Sequence, residues 1–136
     1  MAESPVEMLA RHEGFRGKPY KCTAGKTTIG YGFNVDDWPL TEKECLPILE
    51  SRMREIRAGL ANRLGFFYRL PEKAQDVLVN MGYQMGVAGV CGFTETLKYL
   101  EKGMYEDAYH EMFRSDWARK HKNRAKELAD IIRGLP

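Results

Sequence analysis

Apolar positions at helical spacing open the chain and predict a first helix. They are Val6, Leu9 and Ala10. Residues 4–7 form a capping box with proline at the first helical position, and Gly14 ends the pattern. Glu13 falls on the same apolar face one turn later. We therefore expect this face to be buried, with Glu13 pointing inward at the helix C-terminus.

Alternating residues follow the first helix and predict a β-hairpin. Residues 19–22 and 27–33 have the pattern of two short strands with a turn between them. Antiparallel pairing would bring Cys22 and Thr28 close together across the hairpin. The alternatives are that Cys22 is a small buried apolar residue and that Thr28 reflects ordinary strand propensity.

The helical period returns after a short loop and continues for the rest of the chain. A second capping box at residues 41–44 starts a long helix, and Pro47 should kink it or loosen its first turn. Its apolar positions are Leu46, Leu49, Met53, Ile56 and Leu60. Further helices are predicted from Pro71 onward, with a break at residues 86–89. Their predicted N-terminal caps are Thr94, Ser115 and Asn123, and the last helix should bury Leu128, Ile131 and Ile132.

These elements predict an α+β fold that is mostly α. A small α/β lobe with a β-hairpin would be joined by a long helix to an all-helical lobe. We expect a single domain of residues 1–136, with the small lobe at residues 1–40, the connecting helix at 41–60 and the helical lobe at 61–136.

Composition excludes several classes of protein. The net charge is +2, and hydrophobic and charged residues make up 43% and 29% of the chain, as in ordinary globular domains. Basic residues cluster at positions 114–126, either as an anion-binding patch or as a solvated helix face. Only Trp117 could stack on a base there, which disfavours nucleic-acid binding. Three cysteines without metal-like spacing predict free thiols, and we expect no metal and no cofactor.

Three reactive side chains lie in the glycine-rich stretch of residues 12–34. They are Glu13, Cys22 and Thr28. A buried carboxyl group at a helix C-terminus would tend to keep its proton, as a general acid must. The alternative is an ordinary surface glutamate in the last turn.

The spacing of these residues resembles that of a known family. Glu13 is followed after eight residues by Cys22 and after five more by Thr28, and then by Ile-Gly-Tyr-Gly. Residues 80–86, 92–94, 115–117 and 123–126 resemble the same family, in the same order and over nearly the whole chain. The family is the tailed-phage lysozymes, which are endolysin muramidases of glycoside hydrolase family 24.

The resemblance implies hydrolysis of the β-1,4 bond between N-acetylmuramic acid and N-acetylglucosamine in peptidoglycan, causing host cell lysis. It implies that Glu13 is the general acid, Cys22 a base or nucleophile, and Thr28 a support for the attacking water or the intermediate. Arg124 would pair with the catalytic glutamate. The positions implied to contact substrate are Phe33, Asn34, Tyr83, Gln84, Thr96 and Glu111.

The chain departs from the family at three places. Aspartate is frequent at the position of Cys22, although active cysteine versions belong to the family. A thiol with an ordinary pKa of about 8.5 is mostly neutral at pH 7. Glu111 replaces the usual amide, and the segment after Asn34 looks short. Pairing with Arg124 would also favour the charged form of Glu13, whereas a general acid needs its proton.

Location and partners complete the expectations. Residues 1–11 contain no apolar run long enough for a signal peptide. We expect synthesis in the host cytoplasm, passage to the wall through a holin-type membrane lesion, a monomer, and peptidoglycan as the partner. Nucleic acid and stable membrane insertion are not expected. The alternatives are a non-catalytic peptidoglycan-binding module and a lytic transglycosylase.

Overall fold

One helix and three short strands make up the first part of the molecule. In the computed structural model, which describes residues 2–136, the chain divides into two compact units, Met1–Pro47 and Ile48–Pro136. The elements of the first unit are α1 (Pro5–Glu13), β1 (Arg16–Lys21), β2 (Thr27–Gly30) and β3 (Phe33–Asn34). The strands form one antiparallel sheet in the order β1-β2-β3.

The ends of α1 follow from local hydrogen bonding. The Ser4 N–H donates to Glu7 Oε1 at 3.1 Å, and the Glu7 N–H donates to Ser4 Oγ at 3.2 Å. The helix ends at Gly14, whose φ is +70°. The predicted start and end are therefore confirmed.

Burial of the apolar face of α1 was predicted wrongly. None of its described side chains is buried, and Val6 and Leu9 are 74% and 58% exposed. Periodicity identifies a helix and its apolar side, but burial also requires a partner surface. The three-stranded sheet of this unit does not cover α1.

The predicted second strand is divided by a turn. β2 ends at Gly30, residues 31 and 32 turn, and the chain returns as β3. Gly30 and Gly32 have φ angles of +71° and +70°, a region that side chains other than glycine rarely adopt. The predicted hairpin is thus a three-stranded sheet, in which Thr28 on the central strand pairs with Tyr20 and Asn34.

Helices form the rest of the molecule. They are α2 (Glu42–Arg63), a 3-10 turn (Phe67–Arg69), α3 (Glu72–Cys91), α4 (Thr94–Glu101), α5 (Tyr105–Met112), α6 (Asp116–Lys120) and α7 (Lys122–Arg133). The Thr41 N–H donates to Glu44 Oε1 at 2.9 Å, which confirms the second capping box. The predicted break in α3 is present at Gly86, where φ is +82°. The predicted α+β, mostly α fold is therefore confirmed.

The core of the second unit lies where these helices meet the 3-10 turn. Its largest fully buried side chains are Phe67, Leu60, Leu78, Met81, Leu100, Met112 and Ile132. The Ser115 cap is confirmed, since its Oγ accepts from the Ala118 N–H at 3.1 Å. Thr94 and Asn123 were predicted wrongly as caps, because α4 and α7 begin after Phe93 and His121 without a side-chain cap. Ile131 is 38% exposed, so its predicted burial is also wrong. Among residues 2–136, no helix has the length and apolar character needed to cross a membrane.

Candidate active site

The C-terminal end of α1 places the Glu13 carboxylate directly over Gly32. A Cβ atom added at Gly32 would lie 2.5 Å from Glu13 Oε2. This close approach requires glycine, as does the φ of +70°. Glu13 is exposed, so its predicted burial is wrong for the same reason as that of the rest of α1. Within the described part of the first unit, no group forms an ion pair or hydrogen bond with this carboxylate.

A cavity of about 340 Å³ surrounds Glu13 in the first unit. It is lined by Leu9, Glu13, Tyr31, Gly32, Phe33, Asn34, Trp38, Pro39, Leu40 and Glu44. The structure therefore brings the predicted site residues Phe33 and Asn34 together with Glu13. Mostly apolar walls with a few polar groups are typical of small-molecule sites.

Two carboxylates line this cavity, and their surroundings differ. Glu44 accepts from both the main-chain N–H and the hydroxyl of Thr41, each at 2.9 Å. These donors hold the pKa of Glu44 below its usual range, the main-chain N–H contributing most. Glu44 therefore stays ionised and serves the helix cap. Glu13 is the carboxylate of the cavity that is left for chemistry.

The turn between β1 and β2 holds Cys22. The Cys22 N–H donates to the Lys26 carbonyl oxygen at 3.0 Å, and the Gly25 N–H donates to the Cys22 carbonyl oxygen at 2.8 Å. This closed turn aims the main-chain N–H groups of Lys26 and Ala24 at the thiol. They hold the pKa of Cys22 below its ordinary value, Lys26 first, although partial burial opposes them.

Thr28 lies beside this turn and is only 3% exposed. Its hydroxyl donates to the Lys26 carbonyl oxygen at 3.0 Å and is also among the groups that lower the pKa of the Cys22 thiol, after the two main-chain N–H groups. Because a hydroxyl has one proton, it can serve only one acceptor at a time. The structure thus brings Cys22 and Thr28 together, and ionisation of Cys22 would draw the Thr28 proton toward sulfur.

The side chain of Asn34 is used within its own loop. Its Oδ1 accepts from the N–H groups of Asp36 and Asp37 at 3.2 and 3.0 Å, and its Nδ2 donates to Asp37 Oδ2 at 3.1 Å. Asp36 accepts in turn from the Thr27 N–H at 2.8 Å. Asn34 therefore shapes the wall of the cavity, and its predicted role as a substrate contact stays a prediction.

The remaining predicted site residues belong to the second unit. Tyr83 is 47% exposed on α3 and lines a cavity of about 500 Å³ with Arg52 and Val87. Its neighbour Gln84 accepts from the indole N–H of the buried Trp117 at 2.8 Å, which fixes the amide.

Arg124 also belongs to the second unit, where Asn80 engages it. Its Nε donates to Asn80 Oδ1 at 2.9 Å, and a terminal nitrogen donates to the Asn80 carbonyl oxygen at 3.1 Å. These bonds join α7 to α3. The predicted pairing of Arg124 with Glu13 stays a prediction.

Thr96 and Glu111 line one smaller cavity of about 240 Å³, together with Ser115 and Arg114. Thr96 is buried, and Glu111 pairs with Arg114 at 3.3 Å. Arg114 offsets part of the negative charge that Glu111 brings in place of the amide usual in the family. A neutral polar ligand can therefore still fit this cavity.

Two features of the site were not predicted from the sequence. One is the close approach of the Glu13 carboxylate to Gly32, and the other is the presence of Trp38 in the cavity wall. The available signals were a repeated glycine after β2 and a single tryptophan in a polar loop. Among residues 2–136, no three histidine, cysteine, aspartate or glutamate side chains are grouped to hold a metal ion.

A small α/β unit and an all-helical unit agree with the lysozyme-like α+β fold that the sequence predicts. The family model described as phage lysozyme matches residues 10–133, and the chain belongs to that family. The predicted family and its glycosidase class are confirmed. The roles of the individual residues stay predictions.

Three relatives match most of this chain. The chain is 27% identical to the pre-baseplate central spike protein Gp5 of Enterobacteria phage T4, over 95% of its own length but only 27% of that protein. It is 26% identical to an endolysin of Acyrthosiphon pisum secondary endosymbiont phage 1, over 90% of the chain and 83% of the relative. It is 24% identical to the probable T4-type lysozyme 1 of Dictyostelium discoideum, over 97% and 95%. The chain therefore spans about a quarter of the spike protein and most of the other two.

Proposed function

We propose that the protein hydrolyses the β-1,4 bond between N-acetylmuramic acid and N-acetylglucosamine in bacterial peptidoglycan and thereby lyses the cell. The observation that carries this proposal is that the Glu13 carboxylate lies against Gly32 in a cavity of the first unit. Cys22 and Thr28 belong to the same unit, although they do not line that cavity. Two relatives named endolysin and T4-type lysozyme support it.

Glu13 acts as the general acid. Its protonated carboxyl group would donate a proton to the glycosidic oxygen as the bond breaks, so that the leaving sugar departs as a neutral alcohol. Its Oε2 lies where a side chain at position 32 would clash with it, so glycine at this position leaves room for the carboxyl group. Glu44, the other carboxylate of the cavity, is held ionised by Thr41 and has no proton to give.

Cys22 supplies the negative charge that the positive transition state requires. The N–H groups of Lys26 and Ala24 favour the thiolate, so the turn compensates in part for the higher intrinsic pKa of a thiol. A thiolate can remove a proton from the attacking water, or it can attack the anomeric carbon itself. The Thr28 hydroxyl would hold the water or stabilise the sulfur. The first route inverts the anomeric carbon and the second retains it, so the anomer released distinguishes them.

The second unit contributes further sugar contacts in this proposal. Tyr83 offers an exposed ring, and the Gln84 amide is held by the Trp117 indole. Thr96 and Glu111 line a separate small cavity that would bind another part of the substrate.

The test compares Glu13→Gln with the parent on bacterial cell walls. Glutamine keeps the shape of glutamate but has no transferable proton, so clearing of a turbid wall suspension should fall below a few per cent of the parent rate. Glu50→Gln changes an exposed glutamate on α2 and should clear walls at the parent rate. Clearing by Glu13→Gln at the rate of Glu50→Gln would refute the general-acid role.

Product analysis separates the alternatives. Hydrolysis yields saccharides one water heavier than the anhydro products of a lytic transglycosylase, which mass spectrometry resolves. A non-catalytic module would bind walls and release neither product. In the proposed setting the protein is a monomer that is made in the host cytoplasm and reaches the wall through a holin-type lesion. Expression of this chain alone should therefore leave cells intact.

A further inference from the structure

We propose that Trp38 is a sugar-stacking residue that binds the glycan strand beside Glu13, an inference that rests on the proposed function. Trp38 is 80% exposed, more than any other large hydrophobic residue described. It lines the same cavity as Glu13. Trp38 shares this cavity with the exposed rings of Tyr31 and Phe33, and exposed apolar surface that is grouped in one cavity is typical of a binding site.

The loop that carries Trp38 is tied to the sheet at several points. The Trp38 N–H donates to the Asn34 carbonyl oxygen at 3.1 Å. On the two preceding residues, Asp36 accepts from the Thr27 N–H at 2.8 Å, and Asp37 pairs with Lys26 at 3.2 Å. The loop that carries the exposed ring is therefore already ordered. Binding of a ligand to the ring then costs less conformational entropy than binding to a ring on a mobile loop would.

The shape and chemistry of the cavity favour a glycan as the occupant. A hexosamine ring presents a flat face of C–H groups with polar groups at its edge, which suits an aromatic wall next to a polar centre. Trp38, Phe33 and Tyr31 supply the aromatic surface, and Glu13 supplies the polar centre. The ligand class is a β-1,4-linked strand of N-acetylated hexosamines, of which Trp38 would hold one ring next to the bond that is cut.

Binding can be measured without turnover in the Glu13→Gln background, with a soluble hexamer of β-1,4-linked N-acetylglucosamine as the probe. Trp38→Ala should weaken binding of this hexamer about tenfold by calorimetry, equivalent to about 1.4 kcal/mol. Trp38→Phe should keep binding within about threefold, because it retains an aromatic face. Tyr68→Ala is the matched control. It removes a 66% exposed aromatic ring outside this cavity and should not change binding.

Fluorescence provides a second readout, since the chain contains only two tryptophans. Trp117 is buried at 8% exposure, whereas Trp38 is in water. Saturation with the hexamer should shift the emission to shorter wavelength, and Trp38→Phe should abolish the shift while binding persists. With Glu13 restored, Trp38→Ala should raise the wall concentration needed for half-maximal rate by a larger factor than it lowers the maximal rate.

The outcomes separate this inference from the proposed function. Two results would overturn the role of Trp38 even if the unsubstituted protein cleaves walls. One is equal affinity for the hexamer with and without Trp38→Ala in the Glu13→Gln background, and the other is an unshifted emission at saturation. Conversely, if Glu13→Gln still cleaves walls, the proposed acid is wrong, whereas a tenfold effect of Trp38→Ala on hexamer binding still supports the stacking role.

Discussion

Substitution of Gly32 by alanine should separate the placement of Glu13 from the stability of the fold. The added Cβ would lie 2.5 Å from Glu13 Oε2, whereas non-bonded heavy atoms pack best at about 3.5–4.0 Å. The carboxyl group is the far end of a flexible side chain, so it can rotate away by roughly 1 Å. The contact is then relieved at little cost in stability, but the acid leaves its position.

Two magnitudes follow from the structure. A φ of +70° costs alanine about 1–2 kcal/mol relative to glycine, partly offset by the lower entropy of the unfolded chain. A net loss of about 1 kcal/mol should lower the melting temperature by roughly 3–5 °C in a chain of this length. A displacement of about 1 Å at a reacting group can cost about a hundredfold in rate. That factor corresponds to about 2.7 kcal/mol of transition-state stabilisation.

Gly103→Ala is the matched control, because Gly103 has a φ of +74° and open space where its Cβ would lie. Both variants should melt a few degrees below the parent, but only Gly32→Ala should lose wall-clearing activity at a temperature where both are folded. Equal clearing by the two variants would show that the contact with Gly32 does not position Glu13. Equal losses in both would assign the effect to backbone strain.

Three further predictions concern Cys22 and Arg124. Cys22→Asp should keep substantial wall clearing, whereas Cys22→Ser and Cys22→Ala should lose most of it; an active alanine variant would exclude a catalytic Cys22. In a chain lacking Cys45 and Cys91, alkylation of folded Cys22 by iodoacetamide should rise with pH at a lower midpoint than in denatured protein, because the turn lowers the thiol pKa. Coincident midpoints would contradict that. Arg124→Ala should lose about 1 kcal/mol of stability with its bonds to Asn80, measured by thermal melting, and should also impair clearing.

The features predicted correctly from sequence are those that depend on close neighbours in the chain. The capping boxes at residues 4–7 and 41–44 each need only two residues three positions apart, so the local sequence specifies them. The proximity of Cys22 and Thr28 follows from antiparallel register around a short turn. The family was identified from motifs spread over nearly the whole chain, which the family match over residues 10–133 bears out, while the roles of Glu13, Cys22 and Thr28 stay predictions.

The features that were missed depend on conformation or on distant partners. Alternation continued through residues 27–33, so only the positive φ angles of Gly30 and Gly32 reveal the turn between β2 and β3. The apolar face of α1 was identified, but its burial depends on a surface that sequence periodicity does not describe. Two hydrogen bonds hold the loop that presents Trp38, from Lys26 to Asp37 and from the Thr27 N–H to Asp36, and they join residues that are eleven and nine positions apart.

Three acidic side chains of the first unit differ in the hydrogen bonds that they receive. Glu44 receives two hydrogen bonds at a helix start and is kept as a carboxylate. Cys22 receives main-chain N–H groups at a turn and is shifted toward the thiolate. Glu13 lies at the C-terminal end of α1 and has no hydrogen-bond donor among the described residues of its unit. Main-chain N–H groups thus lower the pKa of Glu44 and of Cys22, whereas the group proposed to donate a proton receives no hydrogen bond from the described residues of its unit. An aspartate at position 22 would receive the same N–H groups, which is the physical reason to expect that a thiol and a carboxylate can exchange there.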